Sequence, residues 1–78
     1  MRLSHSIKYD FRQKFGARIR EFRLERGISQ STFASLVGIL PSTLCRIEAG
    51  YSECPIRLAA KIAHELGMNL SKLLEGLI

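Results

Sequence analysis

QSTFASLVGILPSTLCRIEAG, residues 30–50, is the stretch that decides the fold. Phe33, Ala34 and Val37 share one side of a helix. Gly38 ends it, because the left-handed backbone common just past a helix terminus is cheap only for glycine. Ser29, immediately upstream, can accept from the free amides of the first turn. Pro41 suits a first helical position, where its missing N–H is no loss. Leu44 and Ile47 then face inward, and Gly50 stops the second helix. The spacing therefore predicts short helices over Gln30–Val37 and Pro41–Ala49, joined by a turn of about four residues. Ala34 falls at the helix crossing, where a larger side chain would push the pair apart. Ile39 plugs the turn into the core. Ser42, Thr43, Cys45, Arg46 and Ala49 are left pointing elsewhere.

The rest of the chain reads as helix on both sides of this unit. Phe11, Phe15, Ile19 and Phe22 follow i, i+4, i+8, i+11 spacing, which predicts a first helix from about Asp10 to Arg26, ended by Gly27. Pro55 opens a fourth helix bearing Ile56, Ala59, Ile62, Ala63 and Leu66, ended by Gly67. Asn69 can cap a last short helix carrying Leu70, Leu73, Leu74 and Leu77. The expected architecture is all-α, a compact five-helix domain. Residues 1–9 are expected as a basic N-terminal arm and residues 10–78 as a single domain.

Composition narrows the function. The chain has 78 residues, 46% hydrophobic and 24% charged, which suits one small globular domain. No apolar run approaches the roughly 20 residues of a membrane span, and the N-terminal residues lack a secretion signal's apolar stretch. A cytoplasmic location with no membrane partner is expected. Cys45 and Cys54 match no zinc or redox spacing and are read as free thiols. His5 and His64 lack metal-ligand spacing. No nucleophile–base pair, carboxylate pair or glycine-rich phosphate loop is present. The expectation is no enzyme, no catalytic residue, no metal and no cofactor.

The net charge of +5 is unevenly spread. Residues 1–26 hold Arg2, Lys8, Arg12, Lys14, Arg18, Arg20, Arg23 and Arg26 against three acidic residues, whereas the remainder is balanced. Such a patch attracts polyanions. A solvated helix face would look the same in sequence.

From Phe15 to Leu74 the chain resembles the Xre/Cro/C1 helix-turn-helix family, which includes phage repressors and restriction–modification controllers. The matching residues are Gly16, Arg18-Ile19-Arg20, Arg23, Gly27-Ile28-Ser29-Gln30, Ala34, Gly38-Ile39, Ile47-Glu48-Ala49-Gly50 and Leu66-Gly67. The resemblance implies a λ-repressor-like DNA-binding domain with its motif at about 30–49. It implies that the second motif helix lies in the major groove. Pro41, Ser42 and Arg46 would then meet base edges, with Leu40, Thr43 and Cys45 close by. Arg46 can give two parallel hydrogen bonds to guanine O6 and N7. Gln30, with Ser31, would clamp a phosphate at a helix N-terminus. Arg20 would contribute a phosphate contact. Arg23 and Glu48 hold positions that pair in phage repressors of the family; a direct phosphate contact is the alternative for Arg23.

Several residues depart from the pattern. Leu40 stands where Ser, Thr or Asn would cap the recognition helix. Leu24 and Leu36 are expected to be exposed. The loop Tyr51-Ser52-Glu53-Cys54 lacks the Lys or Arg often found there. The resemblance implies a transcriptional regulator of double-stranded DNA, working as a homodimer on an inverted repeat. The alternative is a protein-interaction module of the same fold, such as an antitoxin or regulatory adaptor. Leu70, Leu73, Leu74, Leu77 and Ile78 are the expected dimer interface; closing the monomer core is their other possible role.

Overall fold

The computed structural model describes the backbone of residues 2–77 and the side chains of residues 10–77. It contains five helices in chain order: α1 (Arg2–Glu25), α2 (Gln30–Val37), α3 (Pro41–Glu48), α4 (Ile56–Glu65) and α5 (Leu70–Leu74). No strand occurs among the described residues. The expected all-α, five-helix architecture is the one observed.

The helix ends follow local chemistry. Ser29 Oγ accepts from the Thr32 amide at 3.2 Å. Asn69 Oδ1 accepts from the Lys72 amide at 2.9 Å. Gly38 has φ 79° and returns its amide to the carbonyls of Ala34 and Ser35, so the chain can turn within four residues. Leu40 is the N-cap of α3 and offers no side-chain hydrogen bond, with Pro41 following it. The first turn of α3 therefore starts without the usual side-chain acceptor.

One boundary differs from the sequence reading. α1 begins at Arg2, not near Asp10. No Gly or Pro separates Arg2 from Asp10, so nothing breaks the helix there.

The core joins all five helices: Phe15 and Ile19 from α1, Phe33, Ala34 and Val37 from α2, Leu44 and Ile47 from α3, Ala59, Ile62 and Ala63 from α4, and Leu73 from α5. Ile56, by contrast, is 75% exposed at the start of α4. Leu73 is fully buried inside the chain, and Leu70, Leu74 and Leu77 pack half-buried around the same core. Leu73 is thus a core residue and cannot present itself to a partner. Ile78, the other end of the expected interface, lies outside the described residues.

Arg18 of α1 and Arg26, just past its end, tie the ends of other helices. Arg18 Nη1 donates to the carbonyls of Leu73 at 3.1 Å and Glu75 at 2.8 Å. Arg26 Nε donates to the Leu66 carbonyl at 2.8 Å, and its guanidinium lies over the Phe22 ring. Part of the positive charge in the first third is therefore committed to satisfying carbonyls that the helix ends leave open.

Candidate nucleic-acid interface

α2 and α3 pack against each other across the tight turn, and α3 also packs on α1. Leu44, Ile47 and Glu48 form the buried side of α3. Ser42, Cys45, Arg46 and Ala49 are exposed, and their i, i+3, i+4, i+7 spacing makes them one outward stripe. Pro41 and Leu40 are exposed at its N-terminal end, Leu40 at 68%, and Thr43 is half-buried beside them.

A buried polar cluster holds α3 in place. Arg23 Nε donates to Glu48 Oε2 at 2.7 Å, and Arg23 Nη2 donates to Glu48 Oε1 at 2.9 Å. This two-bond fork is nearly sealed from water, with side-chain exposures of 5% and 3%. Arg23 Nη1 donates to the Ile28 carbonyl at 2.8 Å. The hydrogen bonds to Glu48 raise the Arg23 pKa above its ordinary value, against the opposing effect of burial. Gln30 Nε2 donates to Glu48 Oε1 at 3.0 Å. One carboxylate therefore links α1, α2 and α3. Sequence reasoning had not placed Gln30 on Glu48, since the partners are 18 positions apart. A side-chain amide has two N–H donors, so Gln30 keeps a second one.

The approach of α1 to α3 depends on Gly16. A Cβ there would stand 2.2 Å from the Ile47 carbonyl oxygen and 2.6 Å from that of Glu48. The backbone of α3 thus rests almost directly on the backbone of α1. The cue was a glycine in mid-helix, where it costs about 1 kcal/mol against alanine unless packing requires it.

Arg46 is exposed on α3, and its Nε donates to Ser52 Oγ at 3.2 Å. The loop curls back to make this bond: the Tyr51 and Ser52 amides donate to the Arg46 carbonyl at 2.9 and 3.3 Å. Ser52 was not singled out from the sequence, because the contact depends on how the loop folds. With Nε occupied, the two terminal nitrogens of Arg46 are left as a planar pair of donors. Arg20 lies one turn from Gly16 along α1; it is exposed and makes no hydrogen bond or ion pair among the described residues. Ser31 is exposed in the first turn of α2, with its Oγ 3.4 Å from Ser29 Oγ.

Both cysteines are free; Cys45 is exposed and Cys54 half-buried. Burial pushes the Cys54 thiol up to about 11. No group of three or more His, Cys, Asp or Glu that could hold a metal ion occurs among the described residues. None of the described helices is long and apolar enough to cross a membrane.

The chain matches the family model described as helix-turn-helix over residues 19–73. It is 32% identical over 57 residues to a protein of Pyrobaculum aerophilum described as HTH-type transcriptional regulatory, across 73% of this chain and 23% of that protein. The chain thus spans less than a quarter of that relative's length. Among solved structures it resembles the restriction–modification controller protein C.AhdI from Aeromonas hydrophila, with a TM-score of 0.79 and 34% identity over 83% of this chain and 94% of that one. The clp gene regulator ClgR from Corynebacterium glutamicum has the same TM-score of 0.79, with 30% identity over 82% of this chain and 68% of that one.

Proposed function

The chain belongs to the helix-turn-helix family of DNA-binding transcription regulators, and from that membership we propose that it reads duplex DNA sequence-specifically, as a homodimer on an inverted repeat. α3 is the element that enters the major groove. The observation that carries this reading is Arg46, exposed in the middle of α3 and steadied through Nε by Ser52. Its two terminal nitrogens match guanine O6 and N7. Leu40 and Pro41 offer apolar contact, suited to a thymine methyl, and Ser42 can donate or accept. Thr43 and Cys45 complete the protein surface facing the groove.

Backbone contacts position the domain without reading sequence. The free N–H of Gln30, together with Ser31 and the first amides of α2, suits one phosphate. Arg20 suits another. Arg23, Arg18 and Arg26 are occupied within the fold, which favours a structural role for Arg23 over a phosphate contact.

One domain this small covers few base pairs, so useful specificity calls for two copies. The half-buried Leu70, Leu74 and Leu77 are the proposed contact between them. Selection from a random duplex pool is expected to return a short inverted repeat, with half-sites about one helical turn apart. Affinity for it should fall steeply with salt, since each phosphate contact releases counterions.

The cysteines give an independent check on which surface DNA covers. Near pH 7.5, a thiol pushed up to about 11 is ionised to only on the order of 10⁻³–10⁻⁴, so alkylation by iodoacetamide should spare Cys54 and proceed at Cys45. The selected duplex should then protect Cys45. Equal labelling of Cys45 with and without bound duplex would remove it from the groove-facing surface.

A further inference from the structure

A cleft of about 670 Å³ opens between the middle of α1, the loop after α3 and Leu77. Small-molecule sites commonly have volumes of about 300–1,000 Å³. Phe11, Phe15, Ile47, Cys54 and Leu77 give this cleft its apolar walls. Arg12 also lines it, and the Arg12 Nε is out of reach of solvent with no hydrogen-bond partner. A sheltered N–H on a charged group is costly to leave unpaired, so each such group calls for an explanation. Nothing among the described residues supplies one.

The other charges at the cleft define the missing partner. Lys14 is paired with Asp10 at 3.1 Å. Glu53 is exposed and makes no ion pair among the described residues. Among the described residues, one unpaired positive group in an apolar cleft, with an unpaired negative group beside it, favours a single anionic group and an uncharged body. We propose that this cleft binds an amphipathic organic monocarboxylate, with the acid on Arg12 and the apolar body along Phe11, Phe15, Ile47 and Leu77. Two of the lining residues bear on α3: Ile47 belongs to it, and Ser52 holds Arg46.

The probe is decanoate, titrated into the ¹⁵N-labelled chain without DNA and followed by amide shifts. Without DNA, the outcome is independent of the DNA-reading proposal. Saturable shifts at residues 10–15, 47, 52–54 and 77 are expected. A charge-assisted hydrogen bond should favour decanoate over decanol by at least about tenfold. Arg12→Gln should remove that preference while leaving the remaining spectrum folded and unchanged, and Arg12→Lys should keep most of it. The proposal is overturned if decanoate does not saturate by low millimolar concentration, or if Arg12→Gln binds it as well as the parent. It is equally overturned if the amides of residues 10–15, 47 and 52–54, which lie outside the proposed dimer contact, shift when the protein is diluted without decanoate, because a second copy of the chain would then be what fills the cleft.

Discussion

Glu48→Ala is expected to cost about 3–5 kcal/mol of stability, the largest effect of any single substitution considered. The reason is what it leaves behind. Arg23 would keep its charge inside the protein, with only the Ile28 carbonyl as an acceptor. Gln30 would lose the oxygen that it shares with Arg23. A chain of this length has in total roughly 4–12 kcal/mol, so the variant should sit near its unfolding transition at room temperature. Glu48→Gln should fall between the two, since it keeps an acceptor but loses the opposite charge. The double variant Arg23→Met/Glu48→Leu should recover most of the loss, because replacing a buried pair with apolar groups is often neutral or better. Urea unfolding of the three variants tests this. A Glu48→Ala midpoint close to the parent's would mean that water reaches Arg23.

The second large effect is at Gly16. Replacing glycine by alanine inside a helix ordinarily gains about 1 kcal/mol. At Gly16 the added methyl would meet the carbonyl oxygens of Ile47 and Glu48, which belong to a rigid helix end and cannot rotate away. Overpacking costs about 1–3 kcal/mol, and main-chain neighbours place this site at the upper end. The net result should be a fall in Tm, by roughly 4–8 °C for each kcal/mol lost in a domain of this size. Relief by moving α3 outward would also disturb Glu48, so the Gly16→Ala protein should bind DNA more weakly even where it remains folded. A Tm at or above the parent's would show that α1 and α3 do not meet this closely.

These two sites show how far the sequence could be read. Ser29, Gly38, Pro41 and Asn69 act on amides and turns within a few residues, so their effects were legible locally. The faces of α2 and α3 followed from helical phase, which put Leu36 and Arg46 outside and Phe33, Leu44 and Ile47 inside. Contacts across long separations were not legible. Gln30 reaches Glu48, Arg18 reaches the carbonyls of Leu73 and Glu75, and Gly16 touches the end of α3. Periodicity carries no sign of such pairings, though the family resemblance did put Arg23 beside Glu48. The start of α1 is not legible, because no Gly or Pro between Arg2 and Asp10 marks a boundary. Leu73 reads equally as an interface or a core residue in sequence, because composition cannot say whether a leucine faces its own core or a partner; the fold buries it.

The central proposal is that α3 reads bases through Arg46, and one measurement bears on it most directly. The random-duplex selection is run in parallel with the parent and with Arg46→Lys, at one moderate salt concentration. Lysine keeps the charge and loses the planar two-bond fork. The parent should enrich an inverted repeat with a guanine at one position in each half-site. Arg46→Lys should lose preference at that position alone, with a penalty of about 1–3 kcal/mol on the parent's preferred site. An unchanged preference and affinity in Arg46→Lys would contradict base reading by Arg46. No enriched sequence from the parent at all would contradict sequence-specific DNA binding.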